Sequence, residues 1–202
     1  MSRSLEITLV NGKLVLDSQN TNYSYGSLQR VLRKGLIFIG FDKIKKMEHI
    51  LVLGVAGGSV IKTITDEIEF QGKITGVEID GEIIKIADKY FNISKIKNLE
   101  IVLQDAFEFV LETKLQYDLI IIDIFQDTVM PNFLFESFFQ FRLGEILNKN
   151  GYILFNTMLL SDSDNQRNIE YIKNIDTHVF EVQTIPRIEH HNELIVIKKR
   201  LK

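Results

Sequence analysis

The chain of 202 residues has no cysteine, no tryptophan, two prolines and four histidines. Without cysteine there is no disulfide framework, thiolate nucleophile or cysteine-based zinc site, and four histidines are too few to make a metal the first expectation. No metal is therefore expected. No apolar run approaches the roughly 20 residues that cross a bilayer, and residues 1–6 carry no apolar signal core, so a cytoplasmic protein is expected. The low proline count excludes collagen-like and low-complexity stalks, while 45% hydrophobic and 25% charged residues describe a globular chain able to bury a core. With 24 basic and 27 acidic residues the formal charge is −3, which supplies no bulk attraction to a phosphate backbone or an anionic membrane. Neither nucleic acid nor membrane is an expected partner.

The opening segment alternates, with Leu5, Ile7 and Leu9 on one face, then Asn11-Gly12, then Leu14 and Leu16. Asn-Gly between alternating runs accepts the positive φ of a type I′ turn, so a β-hairpin is predicted over 5–17. Residues 18–24 are polar. Leu28, Val31, Leu32, Leu36 and Ile39 then recur at helical spacing, predicting a helix to about residue 41 with Ser24 as its cap. From residue 49 the pattern changes to short solid apolar runs at 50–53, 74–77, 99–103, 117–122 and 152–155, with helices predicted near 58–69, 81–91, 106–113 and 132–148. Strands apolar on both faces are what a covered parallel sheet requires, and regular β-α alternation predicts a doubly wound α/β fold. The tail reads as two strands, 178–185 and 193–199, joined by a loop too short for a parallel crossover, so an antiparallel hairpin closes the sheet. The polar connection at 42–48 marks the boundary between an N-terminal hairpin-and-helix unit, 1–45, and a Rossmann-like domain, 46–202.

The richest chemistry follows the first parallel strand, where Leu53 runs into Gly54-Val55-Ala56-Gly57-Gly58-Ser59 and a helix. Ligands of open α/β sheets lie beyond the carboxyl ends of the strands, and small residues there let a ligand approach the backbone. The next strand ends in Val77-Glu78-Ile79-Asp80, about 20 residues on, a position suited to accept both hydroxyls of a ribose. Glu78 is the better candidate and Asp80 a candidate helix cap. The third strand ends at Gln104-Asp105-Ala106 and the fourth at Asp123, so three carboxylates follow successive strands. Any one of them could be a cap. Six of the fourteen phenylalanines fall between Phe125 and Phe141, most simply a helix packed on the sheet, with an aromatic lid or a dimer face as alternatives. His190-His191 on the tail loop reads as a solvated turn or a base over the crevice. Arg30, Arg33, Lys34 and the cluster at 198–202 read as solvated faces.

This ordered set resembles the class I S-adenosylmethionine-dependent methyltransferase fold, and more closely the spermidine synthases, which transfer an aminopropyl group from decarboxylated S-adenosylmethionine to a diamine. The resemblance covers nearly the whole chain: Leu14-Val15-Leu16-Asp17, Tyr23-Ser24-Tyr25, Val52-Leu53-Gly54, Val77-Glu78-Ile79-Asp80, Asp105-Ala106-Phe107-Glu108-Phe109, the strand Tyr117-Asp118-Leu119-Ile120-Ile121-Ile122-Asp123 and Thr184-Ile185-Pro186. It implies that Gly54, Ala56, Gly57, Gly58, Glu78 and Ile79 hold the nucleoside of S-adenosylmethionine or its decarboxylated form. It further implies that Asp105 and Ala106 take the adenine amine and that Asp123, with Asp127 as partner, binds or deprotonates a small-molecule amine. Tyr25 could bond that amine or seal the first helix by packing. A homodimer is implied as well.

The departures cluster where the reaction would occur. The synthases read Gly-Gly-Gly-Asp-Gly-Gly at the turn, and Gly57 replaces the acid that grips the aminopropyl tail. They read Asp-Ser-x-Asp after the fourth strand, and this chain has Asp123-Ile124-Phe125-Gln126-Asp127. Gly26 replaces a glutamine, and Pro186-Arg187-Ile188-Glu189-His190-His191 replaces Pro-Thr-Tyr-Pro-Ser-Gly. Each charge-assisted contact is worth roughly 1.5–3 kcal/mol, so two losses would cost two to four orders of magnitude with that donor and acceptor. Three readings therefore stand: a spermidine-synthase-like transferase, a methyltransferase with another acceptor, and a nucleoside-binding homologue without catalysis.

Overall fold

The computed structural model describes residues 5–10, 13–18, 22–24, 26–126, 129–189 and 191–201. Strands β1 (Leu5–Val10) and β2 (Lys13–Ser18) pair antiparallel, Leu9 opposite Leu14, as the alternation predicts; the Asn11-Gly12 turn lies outside the described residues. A short β3 (Asn22–Ser24) joins β2 where a polar connection was expected. Helix α1 (Gly26–Ile39) follows, so Ser24 belongs to a strand two residues before the helix, a displacement within ordinary boundary scatter.

After α2 (Phe41–Ile44) the main sheet begins with β4 (His49–Leu53), α3 (Ser59–Lys62), β5 (Lys73–Glu78), α4 (Gly81–Phe91), β6 (Leu99–Leu103), α5 (Ala106–Glu112) and β7 (Tyr117–Ile122). It closes with α6 (Ser137–Ile146), β8 (Leu147–Met158), α7 (Asp162–Lys173), β9 (Phe180–Ile188) and β10 (Asn192–Lys199). The order is β6-β5-β4-β7-β8-β10-β9, parallel from β6 to β8, with β10 antiparallel to β8 and β9. This is the Rossmann-like methyltransferase sheet with its antiparallel C-terminal hairpin. Pro186 lies within β9, the outermost strand, where a missing N–H breaks no ladder on the open side. The tail strands are longer than expected, leaving three connecting residues rather than seven.

Helix α7 was not foreseen. Its polar composition hides the apolar period, yet its start is written in Ser161 and Asp164: the Ser161 hydroxyl accepts from the Asp164 amide while the Asp164 carboxylate accepts from the Ser161 amide. That reciprocal cap satisfies two amides an open helix start would leave without partners. The expected helix at 132–148 is a 3-10 turn (Asn132–Phe135), a break at Glu136, and α6. The helix expected at 58–69 is α3 continuing into a π-helical turn (Thr63–Glu67).

Alternate residues of each parallel strand feed two cores. Leu119 and Ile121 of β7 pack with Leu32 and Leu36 of α1 and with Ile61 and Ile64; Ile120 and Ile122 pack on the opposite side with Leu143 and Phe139 of α6. Both faces of the sheet are buried, which accounts for the solid apolar runs. Among the described residues no helix is long and apolar enough to cross a membrane.

Leu36 is fully buried between α1 and the sheet. Leu36→Ala is expected to cost about 3 kcal/mol, read as a lower midpoint in urea; an unchanged midpoint would show that α1 is not part of the core.

Candidate nucleoside and amine site

The chain runs outward from β4 to β5 and β6, then returns to place β7 on the other side of β4, so the order reverses between β4 and β7. At such a switch point the first turns diverge and leave a crevice beyond the carboxyl ends. Gly54 and Asp123 are the residues that leave the two strands there. The Asp123 amide donates to the Leu53 carbonyl at 2.9 Å and the Gly54 amide to the Val77 carbonyl at 3.0 Å, so three adjacent strands end in register. Gly54 has φ +88°, and a Cβ on it would run into the Asp123 carbonyl oxygen. Only glycine meets both demands. Gly58, at φ +79°, turns the chain into α3, and Gly57 lies between. Ala56 adopts φ 47°, a left-handed conformation that strains a side-chain-bearing residue by about 1–2 kcal/mol. It stands where the synthase pattern has glycine.

Glu78 is buried, with 7% exposure, although its side chain is polar. Four backbone amides explain this: Oε2 accepts from Val55 and Ala56, both at 3.1 Å, and Oε1 from Ile79 at 3.0 Å and Asp80 at 3.1 Å. A carboxylate offers about four acceptor sites, so its capacity is filled. The side chain fastens the glycine turn to the end of β5. Beside it, Ile79 and Leu103 expose apolar side chains, 62% each, at the tips of β5 and β6.

Asp80 caps α4 by accepting from the Glu82 amide at 2.9 Å, the role foreseen for it. Asp105 caps α5 through Oδ1, which accepts from the Phe107 amide at 2.7 Å, and Ala106 opens that helix. Three strand spacings, about 14 Å, separate the ends of β6 and β7. The structure thus joins the glycine turn, Glu78 and Asp123, and sets Asp105 at the far end of the same rim.

Asp123 is partly accessible, and its Oδ1 accepts from Asn156 Nδ2 at 2.9 Å. The Asn156 side chain is fully buried in β8, and its Oδ1 accepts from Asn192 Nδ2 at 3.0 Å. Desolvation pushes the Asp123 carboxyl up to about 6, and the single amide donor opposes that shift without cancelling it. Asn156 and Asn192 were missed as site residues; the available signal was one amide interrupting the apolar run of β8. Tyr25, Asp127 and His190 lie outside the described residues, and His191 is exposed. Behind the site, Phe139 packs against Phe133 and Phe107, and Phe135 against Phe155 and Tyr171, so most of the phenylalanine cluster is core. Phe138 and Phe141 remain exposed.

The spermine/spermidine synthase domain description matches residues 31–192, and the chain belongs to that family. A polyamine aminopropyltransferase of Vibrio vulnificus is 29% identical over 119 residues, 57% of this chain and 40% of the relative. The chain spans about half, or less, of the length of such curated relatives. Two solved structures share the fold. A spermidine synthase in complex with the transition-state analogue AdoDATO has a TM-score of 0.70 at 16% identity, over 98% of this chain and 69% of that one. Human methyltransferase-like protein 13 in complex with SAH has a TM-score of 0.71 at 20% identity, over 87% and 82%.

Two outcomes test the site. Glu78→Ala strands four amides and is expected to lower stability by about 3 kcal/mol in urea unfolding, whatever it does to ligands; a loss under about 0.5 kcal/mol would mean the turn holds itself. For Asp123, the folded carboxyl keeps its proton between pH 4 and 6 while the unfolded one has lost it. Stability therefore falls as pH rises through that window and stays at the lower level above it. Asp123→Asn should match the parent near pH 4 and exceed it at pH 7.5 in thermal melts.

Proposed function

We propose that the crevice binds an S-adenosylmethionine-type nucleoside and that the chain transfers an aminopropyl group from the decarboxylated form to a small amine. Asp123 carries the reading: a half-buried carboxylate at the switch point, oriented by Asn156 and with its proton affinity raised toward neutrality. An alkylamine is cationic at pH 7 and must be neutral to attack. A carboxylate titrating near 6 is ionised at pH 7, so it attracts the ammonium, and it is basic enough to accept the proton as the new bond forms. The amine lone pair attacks the carbon beside the sulfonium, the carbon–sulfur bond breaks, and its electron pair leaves on sulfur as a neutral thioether. Asp127 and Tyr25 are assigned to the same amine.

The donor's nucleoside is assigned to the glycine turn, Glu78, Ile79, Asp105 and Ala106. The exposed Ile79 and Leu103 side chains offer apolar surface to a flat base. Asp105 keeps Oδ2 for an exocyclic amine. Glu78 reaches a ribose diol only by exchanging amide donors, and the Val55 and Ala56 amides, which belong to the glycine turn, are the ones to yield. One observation favours a methyltransferase instead: Gly57 leaves no acid for the donor's terminal ammonium.

Calorimetric titration with S-adenosylmethionine, its decarboxylated form and methylthioadenosine separates the readings. Tightest binding of the decarboxylated donor is expected. Tightest binding of the carboxylated one would support methyl transfer, and no binding of any would leave a homologue without catalysis. With a diamine acceptor, Asp123→Asn should cut turnover by about 10²-fold or more while donor affinity holds; activity retained by that variant would remove Asp123 from its role.

A further inference from the structure

At the opposite end of the sheet, where β4 and β7 begin, lies a recess of about 450 Å³. Lys43 of α2, Lys46 of the following turn, Lys149 near the start of β8 and Lys198 of β10 all line it. These residues come from separate stretches of the chain, brought together because Lys198 pairs with Tyr152 across β10 and β8 while α2 leads into β4. Two acids share the lining, Asp118 and Glu48. Asp118 is committed to structure, accepting from the Glu48 and His49 amides at 2.8 and 3.1 Å and from Asn148 Nδ2 at 2.8 Å. Those donors hold its carboxyl below the ordinary range against the cost of burial.

Some lysines outside the recess are paired with acids, Lys45 with Glu69, Lys73 with Glu100 and Lys85 with Glu82. In the recess Lys46, Lys149 and Lys198 make no salt bridge among the described residues, and Lys43 is held by the Tyr152 hydroxyl at 3.0 Å, over that ring at 5.1 Å. Clustered cations repel one another, and a chain with more acids than bases could have relieved the cluster by one substitution. Beside the recess, the Lys199 ammonium is made more acidic chiefly by burial, then by the charge of Lys149, with Glu145 opposing. Four lysines against two acids leave an excess of positive charge in a concave site, which focuses the field and attracts anions.

We propose that this recess binds a polyphosphate anion, pyrophosphate or the phosphate chain of a nucleoside triphosphate. Lysines spread around a cavity of this size address several phosphoryl groups at once, whereas one phosphate would reach only part of the set. Lysine serves as a point charge for phosphate, and the strength of such contacts falls with salt. The recess and the proposed nucleoside crevice are at opposite ends of the strands, so the two are separable.

Titration calorimetry on the full chain with pyrophosphate, ATP, AMP and orthophosphate tests the assignment. Pyrophosphate and ATP are expected to bind with submillimolar affinity that weakens at high salt, orthophosphate and AMP at least about tenfold more weakly. The Lys46→Glu/Lys149→Glu double variant should lose at least about tenfold in pyrophosphate affinity, and Lys89→Glu on α4 should lose little. The neutralising pair Lys46→Gln/Lys149→Gln should weaken binding in the same direction and stands in if charge reversal perturbs folding. No saturable pyrophosphate heat up to about 10 mM, or equal losses in the double variant and Lys89→Glu, would overturn the proposal. So would ATP binding that survives charge reversal, since it would belong to the crevice at the other end. Binding confined to an oligonucleotide would overturn it too.

Discussion

The site depends on one close approach, that of the Gly54 backbone to the carbonyl of Asp123. Two neighbouring parallel strands must end at the same height for their following residues to share a crevice, and they end so because the Asp123 amide closes the ladder on Leu53. A side chain on Gly54 would push the strands apart at the point where the sheet order reverses. Everything proposed for ligand and amine follows from that convergence. The glycine turn stands over β4, Glu78 locks it from one side, and Asp123 rises on the other.

The two acids of the site, one buried and one half-buried, show how surroundings divide roles. Glu78 is enclosed by four amide donors and is spent on shape. Asp123 accepts from one side-chain donor among the described residues, Asn156, so desolvation dominates and the carboxyl stays ready to take a proton. The same functional group, a carboxylate, thus serves as a fastening in one place and a candidate base in the other. The recess at the opposite end of the sheet holds four lysines against two acids. The strand direction therefore separates an acidic face from a basic one in a chain whose overall charge is only −3.

The sheet was legible in the sequence because both of its faces are buried. Solid runs such as Leu119–Ile122 have no amphipathic explanation other than a covered parallel strand. Glycines and acids at strand ends were legible because the chain crosses the crevice there in a fixed order. The polar helix α7 was not, since it buries little besides Asn168 and Tyr171, and only its Ser161 cap speaks for it. Glu78's four amides and the Asn192–Asn156–Asp123 relay were also hidden, because they join residues that meet only after the strands pair. The far recess was hidden for the same reason: Lys198 read as part of a solvated face and the 42–48 segment that holds Lys43 and Lys46 as a polar connection, and Lys43 and Lys198 are 155 positions apart in the chain.

The most direct measurement of the central claim is an amide chemical-shift titration of the full chain with methylthioadenosine. Convergence of the strand ends into one nucleoside site predicts saturable shifts at Gly54 to Gly58, Glu78 to Asp80, Asp105, Ala106 and Asp123, sharing one dissociation constant, with the amides around Lys149 unmoved. Shifts absent from those strand ends, or fitting unrelated constants at Glu78 and Asp123, would contradict it.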